Sequence, residues 1–156
     1  MMKNILLDTN IASIISESII SVLSNKLSVE ESIKYAEDGF KQYKKVRLYS
    51  KAIDSSIKYM KKKYNQNISL KEIAKSANLS PFFFSRIFKQ KTKQTVFEYL
   101  TGVRIDNAKA LLKNEYRYNI SQIALKTGFS NIYHFSRTFK KYTGFNPSEF
   151  RSKTCQ

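Results

Sequence analysis

The C-terminal two thirds of this 156-residue chain contains one pattern written twice. A shift of 51 residues lays Ser85-Arg86-Ile87-Phe88-Lys89 over Ser136-Arg137-Thr138-Phe139-Lys140. It also pairs Thr92 with Thr143, Glu98 with Glu149, and Tyr99 with Phe150. Upstream the shift falls to 50, where Ile73-Ala74 meets Ile123-Ala124 and Asn78-Leu79-Ser80 meets Gly128-Phe129-Ser130. The second copy therefore carries one extra residue just after its turn. Agreement this dense marks a duplicated structural unit, so whatever the first copy folds into the second must also accommodate.

The local signals within a copy are helical. Ser69 and Glu72 form a capping-box signature opening a short helix through Ala77. Asn78 then stands where a left-handed residue is needed. Ser80 supplies the next N-cap and is followed by Pro81, the residue favoured at the first helical position. Short helix, tight turn and second helix make a helix-turn-helix. Before it, Ile53, Ile57, Met60 and Tyr64 form a core-facing stripe, with Lys58, Lys61, Lys62 and Lys63 on other faces, until the Asn65–Asn67 cluster ends the helix. Between the copies, Val96–Lys113 reads as one long helix, weakened slightly by Gly102. Four Gly and two Pro leave little turn chemistry for a multi-stranded sheet. The expected fold is all-α: two helix-turn-helix subdomains joined by a long linker helix, preceded by a short N-terminal helical segment.

The second helix of each copy has two faces. Phe84, Ile87, Phe88 and Lys91 share one, as do Phe135, Thr138, Phe139 and Tyr142; this oily side must bury. The other carries Phe82, Ser85, Arg86 and Lys89, or Tyr133, Ser136, Arg137 and Lys140. Phe82, Phe83 and Phe84 subtend about 200° of helix, so they cannot all enter one core. Exposed aromatics beside arginine suit a groove-reading helix: apolar contact with thymine methyls, bidentate Arg on guanine, and Ser to various bases. Arg86 and Arg137 could instead pair with a carboxylate, but few are near in sequence. Lys89 and Lys140 contact phosphate or stay solvated. His134 lies beside the face and is either a contact or a solvated side chain. Glu98 and Glu149 recur outside the second helices and read as structural.

The charge distribution agrees with a polyanion partner. The chain carries +16 overall. Residues 1–50 hold 7 Lys+Arg against 6 Asp+Glu, whereas residues 51–156 hold 21 against 6. A basic excess confined to one segment is the electrostatic footprint of a nucleic acid, though an acidic membrane surface or a plain solubilising coat is also basic-tolerant. The single His and the single Cys, Cys155, leave no disulfide framework, no metal site and no acid–base or nucleophile constellation, so neither cofactor nor enzyme activity is expected. Ile11–Leu23 is too short for a ~20-residue membrane span and is interrupted by Glu17 and four serines. A cytoplasmic location is expected.

Residues 1–50 carry none of the repeat. Positions 10–24, capped by Thr9 or Asn10, and 28–45, opened by Ser28 and Glu31, read as two helices. Ile11, Ile14, Ile15, Ile19, Val22 and Leu23 on the first, and Ile33, Ala36, Phe40 and Tyr43 on the second, keep helical spacing. This segment is assigned to packing or oligomerisation, with a homodimer through residues 1–50 as the candidate assembly.

With these motifs in hand, residues 53–152 closely resemble the DNA-binding domain of the AraC/XylS family of bacterial transcription regulators. The first copy contributes Ile73-Ala74, Leu79-Ser80 and Phe84-Ser85-Arg86-x-Phe88-Lys89, followed by Arg104-Ile105-x-x-Ala108-x-x-Leu111-Leu112. The second contributes Ile123-Ala124-x-x-x-Gly128-Phe129-Ser130 and Phe135-Ser136-Arg137-x-Phe139-Lys140-x-x-Thr143-Gly144-x-x-Pro147-Ser148-x-Phe150-Arg151. The resemblance implies a DNA-binding domain over 51–156, with the first helix-turn-helix at about 69–91, the linker helix at about 96–113 and the second helix-turn-helix at about 120–142. It implies a double-stranded DNA partner, sequence-specific binding, activation rather than repression, and RNA polymerase as a further partner. The DNA-binding residues are expected to be Phe82, Phe83, Ser85, Arg86, Lys89, Asn131, Tyr133, His134, Ser136, Arg137 and Lys140. Lys93 departs from the pattern, since the family usually has Gly after Thr92, so the first reading helix is expected to end differently. Family members often carry a larger N-terminal sensing domain, and fifty residues are too few for the sugar-binding barrel of the best-known ones; a short stand-alone regulator and a lost effector domain remain alternatives. A nonspecific nucleic-acid binder would fit the charge, but the chain lacks the cues of RRM, KH or dsRBD modules.

Overall fold

The computed structural model describes residues 11–115 and 117–154, and the described residues form helices and connecting turns without a strand. In chain order these are α1 (Ile11–Leu23), α2 (Val29–Lys63), α3 (Leu70–Ser76), α4 (Pro81–Thr92), α5 (Val96–Asn114), α6 (Ile120–Lys126), α7 (Ile132–Thr143) and α8 (Pro147–Thr154). The expected caps Thr9 and Asn10, and Cys155, lie outside the described residues. The all-α architecture is as expected: helix pairs α3–α4 and α6–α7 are two helix-turn-helix subdomains joined by α5. Compact packing divides at Ala52/Ile53, inside α2.

Helix α2 corrects the sequence reading of separate helices at 28–45 and from Ile53 onward. One helix of 35 residues covers both. The intervening Val46-Arg47-Leu48-Tyr49-Ser50-Lys51-Ala52 offers neither Gly nor Pro to end it. Its start is as read: Glu31 Oε2 accepts from the Ser28 N–H at 2.8 Å while Ser28 Oγ accepts from the Glu31 N–H at 3.2 Å.

In the N-terminal unit, Ile14 of α1 is buried against Gly39 of α2, where an added Cβ would lie 2.8 Å from Ile14 Cγ2. The Tyr35 hydroxyl donates to the Glu17 carboxylate at 2.6 Å, and Ser13 Oγ donates to it at 2.9 Å. These bonds lower the Glu17 pKa, and the Tyr35 phenol is raised in turn. Much of the α1 stripe stays outside: Ile19 is 53% exposed and Leu23 79%, Ile11, Ile15 and the neighbouring Ile20 are also exposed, and Val22 is half-buried.

In the C-terminal unit the duplication is three-dimensional. Phe84 and Phe88 are fully buried with ring centroids 5.4 Å apart, and Phe135 and Phe139 match them at 5.6 Å. Phe88 meets Tyr99 edge-on at 5.6 Å, as Phe139 meets Phe150 at 5.4 Å. Such pairs add about 0.5–1.5 kcal/mol beyond burial. Thr92 Oγ1 donates to the Phe88 carbonyl and accepts from the Gln94 N–H; Thr143 repeats both bonds with Phe139 and Phe145. Glu98 closes a capping box with Thr95 at the start of α5, and Glu149 accepts from the Asn146 N–H before α8, so both glutamates are structural as read. Helix α5 thus serves twice. Its first half packs like α8 against the preceding subdomain, and its second half gives Ile105, Ala108 and Leu112 to the core around Ile123, Phe129, Phe135 and Phe139.

Two details of the ends differ from expectation. Helix α4 ends as α7 does, because Lys93 adopts φ 62° where Gly144 has φ 82°, each N–H bonding the carbonyl four residues back. Lysine bears a left-handed conformation that glycine adopts without strain. Helix α8 was not read as a separate element; Pro147 at its first position is its clearest start signal.

Candidate nucleic-acid interface

Each subdomain presents its second helix with the apolar side inward. In α4 the turn before it places Asn78 at φ 54°, and the Leu79 N–H returns to the Ala74 carbonyl at 3.1 Å. In α6–α7, Gly128 takes φ 85° and the Phe129 N–H bonds the Ala124 carbonyl at 2.9 Å. The extra residue after the second turn moves the N-cap one place. Ser80 caps α4, whereas α7 is capped by Asn131, whose Oδ1 accepts from the N–H groups of Tyr133 at 2.8 Å and His134 at 3.1 Å. The sequence reading placed Asn131 only among contact residues; its capping oxygen is committed to the helix.

The predicted residues gather on two matching outward faces. Phe82 is 81% exposed and its counterpart Tyr133 84%. One turn further, Ser85 and Ser136 are half-buried, and Arg86, Lys89, Arg137 and Lys140 are exposed. Ser85 Oγ donates to the Pro81 carbonyl at 2.9 Å, so its hydroxyl can offer a further partner only an acceptor. Phe82, Ser85, Arg86, Lys89 and Gln90 line one shallow open groove.

Phe83 is half-buried, with the Arg86 guanidinium 5.2 Å from its ring centre. That contact holds the guanidinium against an apolar plate while its edge N–H groups stay available. His134, at the equivalent position of α7, is exposed and lies 5.7 Å from the Phe129 ring. Among the described residues no carboxylate pairs with Arg86 or Arg137. Lys89 and Lys141 both lie near Glu98. The Glu98 pKa is lowered first by the Thr95 backbone N–H and hydroxyl, and further by these two ammonium groups.

Two oily-face assignments need correction. Tyr142 is 43% exposed and its hydroxyl donates to the Glu98 carbonyl at 3.3 Å, so it bridges α7 to α5 at the rim instead of entering the core. Lys91 reaches out to Asp54 at 3.3 Å. Sequence reasoning also passed over Lys71 and Lys75, which line a second shallow depression with Asn78, Leu79 and Pro81 beside the first turn. Gln90 stands where the second face has Lys141, so the second face carries one more cation.

Residues 73–153 match the family model described as a helix-turn-helix domain. Among curated relatives, an uncharacterized transcriptional regulatory protein, YesN of Bacillus subtilis (strain 168), is 42% identical over 91 residues, which covers 57% of this chain and 25% of that protein. The chain thus matches about a quarter of that relative's length. A transcriptional regulator from Chromobacterium violaceum, described as an AraC-type DNA-binding domain-containing protein, superimposes with a TM-score of 0.64 at 27% identity, covering 69% of this chain and 95% of that one. The DNA-binding domain of AdpA, a global transcriptional factor solved in complex with a target DNA, shares the fold with a TM-score of 0.61 at 20% identity over 65% of this chain and 90% of that one. The fold and the relatives are those of transcription regulators, not enzymes.

Proposed function

The chain belongs to the AraC family of helix-turn-helix transcription regulators, and from that premise we propose that it binds specific sites on duplex DNA through both α4 and α7. One observation carries this reading. Two copies of one face, each with an exposed aromatic, a half-buried serine, an arginine without a carboxylate partner and a lysine, stand on equivalent helices of a single unit. Arg86 and Arg137 reach base edges, with Phe82, Phe83, Ser85, Tyr133, His134 and Ser136 around them; Lys89 and Lys140 take phosphates, and Asn131 contributes from the cap of α7. The AdpA domain of the same fold is a DNA-bound relative, which supports the assignment of partner. The mechanism asks for no cofactor or metal.

The test is footprinting on genomic fragments with affinity measured across salt. With about 5–8 phosphates neutralised, log K against log salt should slope at roughly −5 to −7. A flat response, or equal affinity for unrelated sequences, overturns specific recognition.

Activation, through contact with RNA polymerase, is our reading of the regulatory outcome; transcription from a bound promoter with and without the protein decides its sign. Location in the cytoplasm follows from this role, and no helix among the described residues is long and apolar enough to cross a membrane. For residues 1–50 we propose self-association, because the exposed isoleucines of α1 form an uncovered apolar stripe while the local charge is nearly balanced. Sedimentation of the full chain as a monomer would remove that role.

A further inference from the structure

The two turns differ in what lies against them, and the difference centres on Arg104 of α5. Its Nε donates to the Tyr64 carbonyl at 2.8 Å and its Nη2 to the Gln66 carbonyl at 2.9 Å. Both acceptors lie just past the C-terminus of α2, whose carbonyl end favours a cation, and the Gln66 carbonyl also accepts from the Ile68 N–H at 3.1 Å. The guanidinium is half-buried and meets no carboxylate; burial lowers its pKa, yet arginine keeps its proton in proteins.

The other side of this clamp is the turn of the second subdomain. A Cβ added at Gly128 would lie 2.6 Å from the Tyr64 carbonyl oxygen, 2.9 Å from Arg104 Nε and 3.1 Å from its Cζ. The Arg104 guanidinium also lies 5.9 Å from the centre of the Phe129 ring. Phe129 in turn packs edge-on against Phe135 at 5.2 Å and meets His134 at 5.7 Å, both in the first turns of α7. A continuous run of contacts therefore leads from the end of α2, through one guanidinium, to the start of the second reading helix. The first turn has the exposed Asn78 at the matching position, a residue that needs only local freedom for its positive φ.

We propose that Arg104 is a positioning residue that fixes α7 against the end of α2 and so sets the spacing between the two DNA segments the protein reads. The proposal rests on the reading above that α4 and α7 both engage DNA. Bidentate bonding to two backbone carbonyls holds orientation as well as distance, which a single ammonium cannot do. Loss of the clamp lets the second subdomain shift while both cores persist, so binding weakens modestly and tolerance of altered spacing rises.

The experiment starts with duplexes selected by the full-length parent from a random-sequence pool. The parent should enrich a bipartite site and lose about tenfold or more in affinity when one or two base pairs are inserted between its parts. Arg104→Met should bind the selected site more weakly yet lose less than about threefold on the same insertions, with Arg104→Lys between them. An unchanged spacing penalty in both variants overturns the role of Arg104. If the parent selects no bipartite site, the double-engagement reading fails, and a DNA-free measurement still judges the clamp. Spin labels at Gln90→Cys and Lys141→Cys, in a Cys155→Ser background, should give a narrow distance distribution in the parent and a broader one in Arg104→Met. Equal widths overturn the proposal. Should Arg104→Met fail to fold by circular dichroism, Arg104→Lys, which keeps the stem and charge but cannot span both carbonyls, decides the question in both assays.

Discussion

The two helix-turn-helix subdomains share their buried aromatic rings and their outward Ser-Arg-Lys set, and differ at other exposed positions of their second helices. Phe84 and Phe88 repeat as Phe135 and Phe139, and the threonine that ends each reading helix repeats with its hydrogen bonds. The outward first turns diverge, Phe82 and Phe83 becoming Tyr133 and His134, and near the C-terminal end of the helix Gln90 becomes Lys141. Packing tolerates little change in a shared core, because lost volume leaves a cavity and added volume forces strain. A solvent-facing ring or amide pays no such penalty. The second face consequently carries more polar hydrogen-bonding groups, and the first offers larger apolar surface. The two helices share a scaffold, and on our reading they recognise different base sequences.

The largest effects should test the shared part. Phe88→Ala and Phe139→Ala should each cost about 3–5 kcal/mol in denaturant unfolding. Costs that differ by more than about 2 kcal/mol would mean the two cores are not energetic equivalents.

The turns should then separate the copies. Gly128→Ala faces both a positive φ and an occupied space, and we expect a loss of about 2–4 kcal/mol. Asn78→Ala faces the φ alone and should cost about 1 kcal/mol or less. Gly144→Ala is the control, since its φ is positive but nothing lies within 4 Å of the added Cβ. Equal losses at 128 and 144 in thermal or chemical melts would remove the steric difference between the turns.

Recognition gives the next scale. Arg86→Ala and Arg137→Ala should each weaken binding by about 1–3 kcal/mol and relax preference at different base positions. Lys89→Ala and Lys140→Ala should weaken all sequences alike and reduce the salt slope. Titrations against a panel of single-base variants read both. Parent-like binding by both arginine variants would place the reading face elsewhere.

The smallest effect concerns the helix ends. Lys93→Gly should stabilise the protein by about 1 kcal/mol, because it relieves the left-handed lysine, and Gly144→Lys should destabilise it by a similar amount. A destabilising Lys93→Gly would show that the flexible unfolded glycine outweighs the relieved strain.

Local chemistry accounts for the elements that the sequence made legible. Capping boxes at Ser69/Glu72 and Ser28/Glu31, the Ser80-Pro81 start and the left-handed Asn78 act within four residues, so their signals are written next to the structure they specify. Periodicity likewise separates Phe84 and Phe88 from Phe82, because a helix converts spacing directly into direction. The missing stop between positions 45 and 53 was also visible, but strong patterns on either side suggested two helices where nothing breaks the chain.

By itself the sequence determined the duplicated helical scaffold, the two outward faces and the concentration of positive charge, since repeat, period and composition are properties of order along the chain. Only the tertiary structure decided that Tyr142 stays at the rim and that Arg104 joins the end of α2 to the Gly128 turn. The last of these contacts spans 40 residues from donor to acceptor carbonyl, and no local signal encodes which distant carbonyl a guanidinium will meet. That choice is made when the helices pack, and buried polar groups must then find partners among whatever packing has brought near.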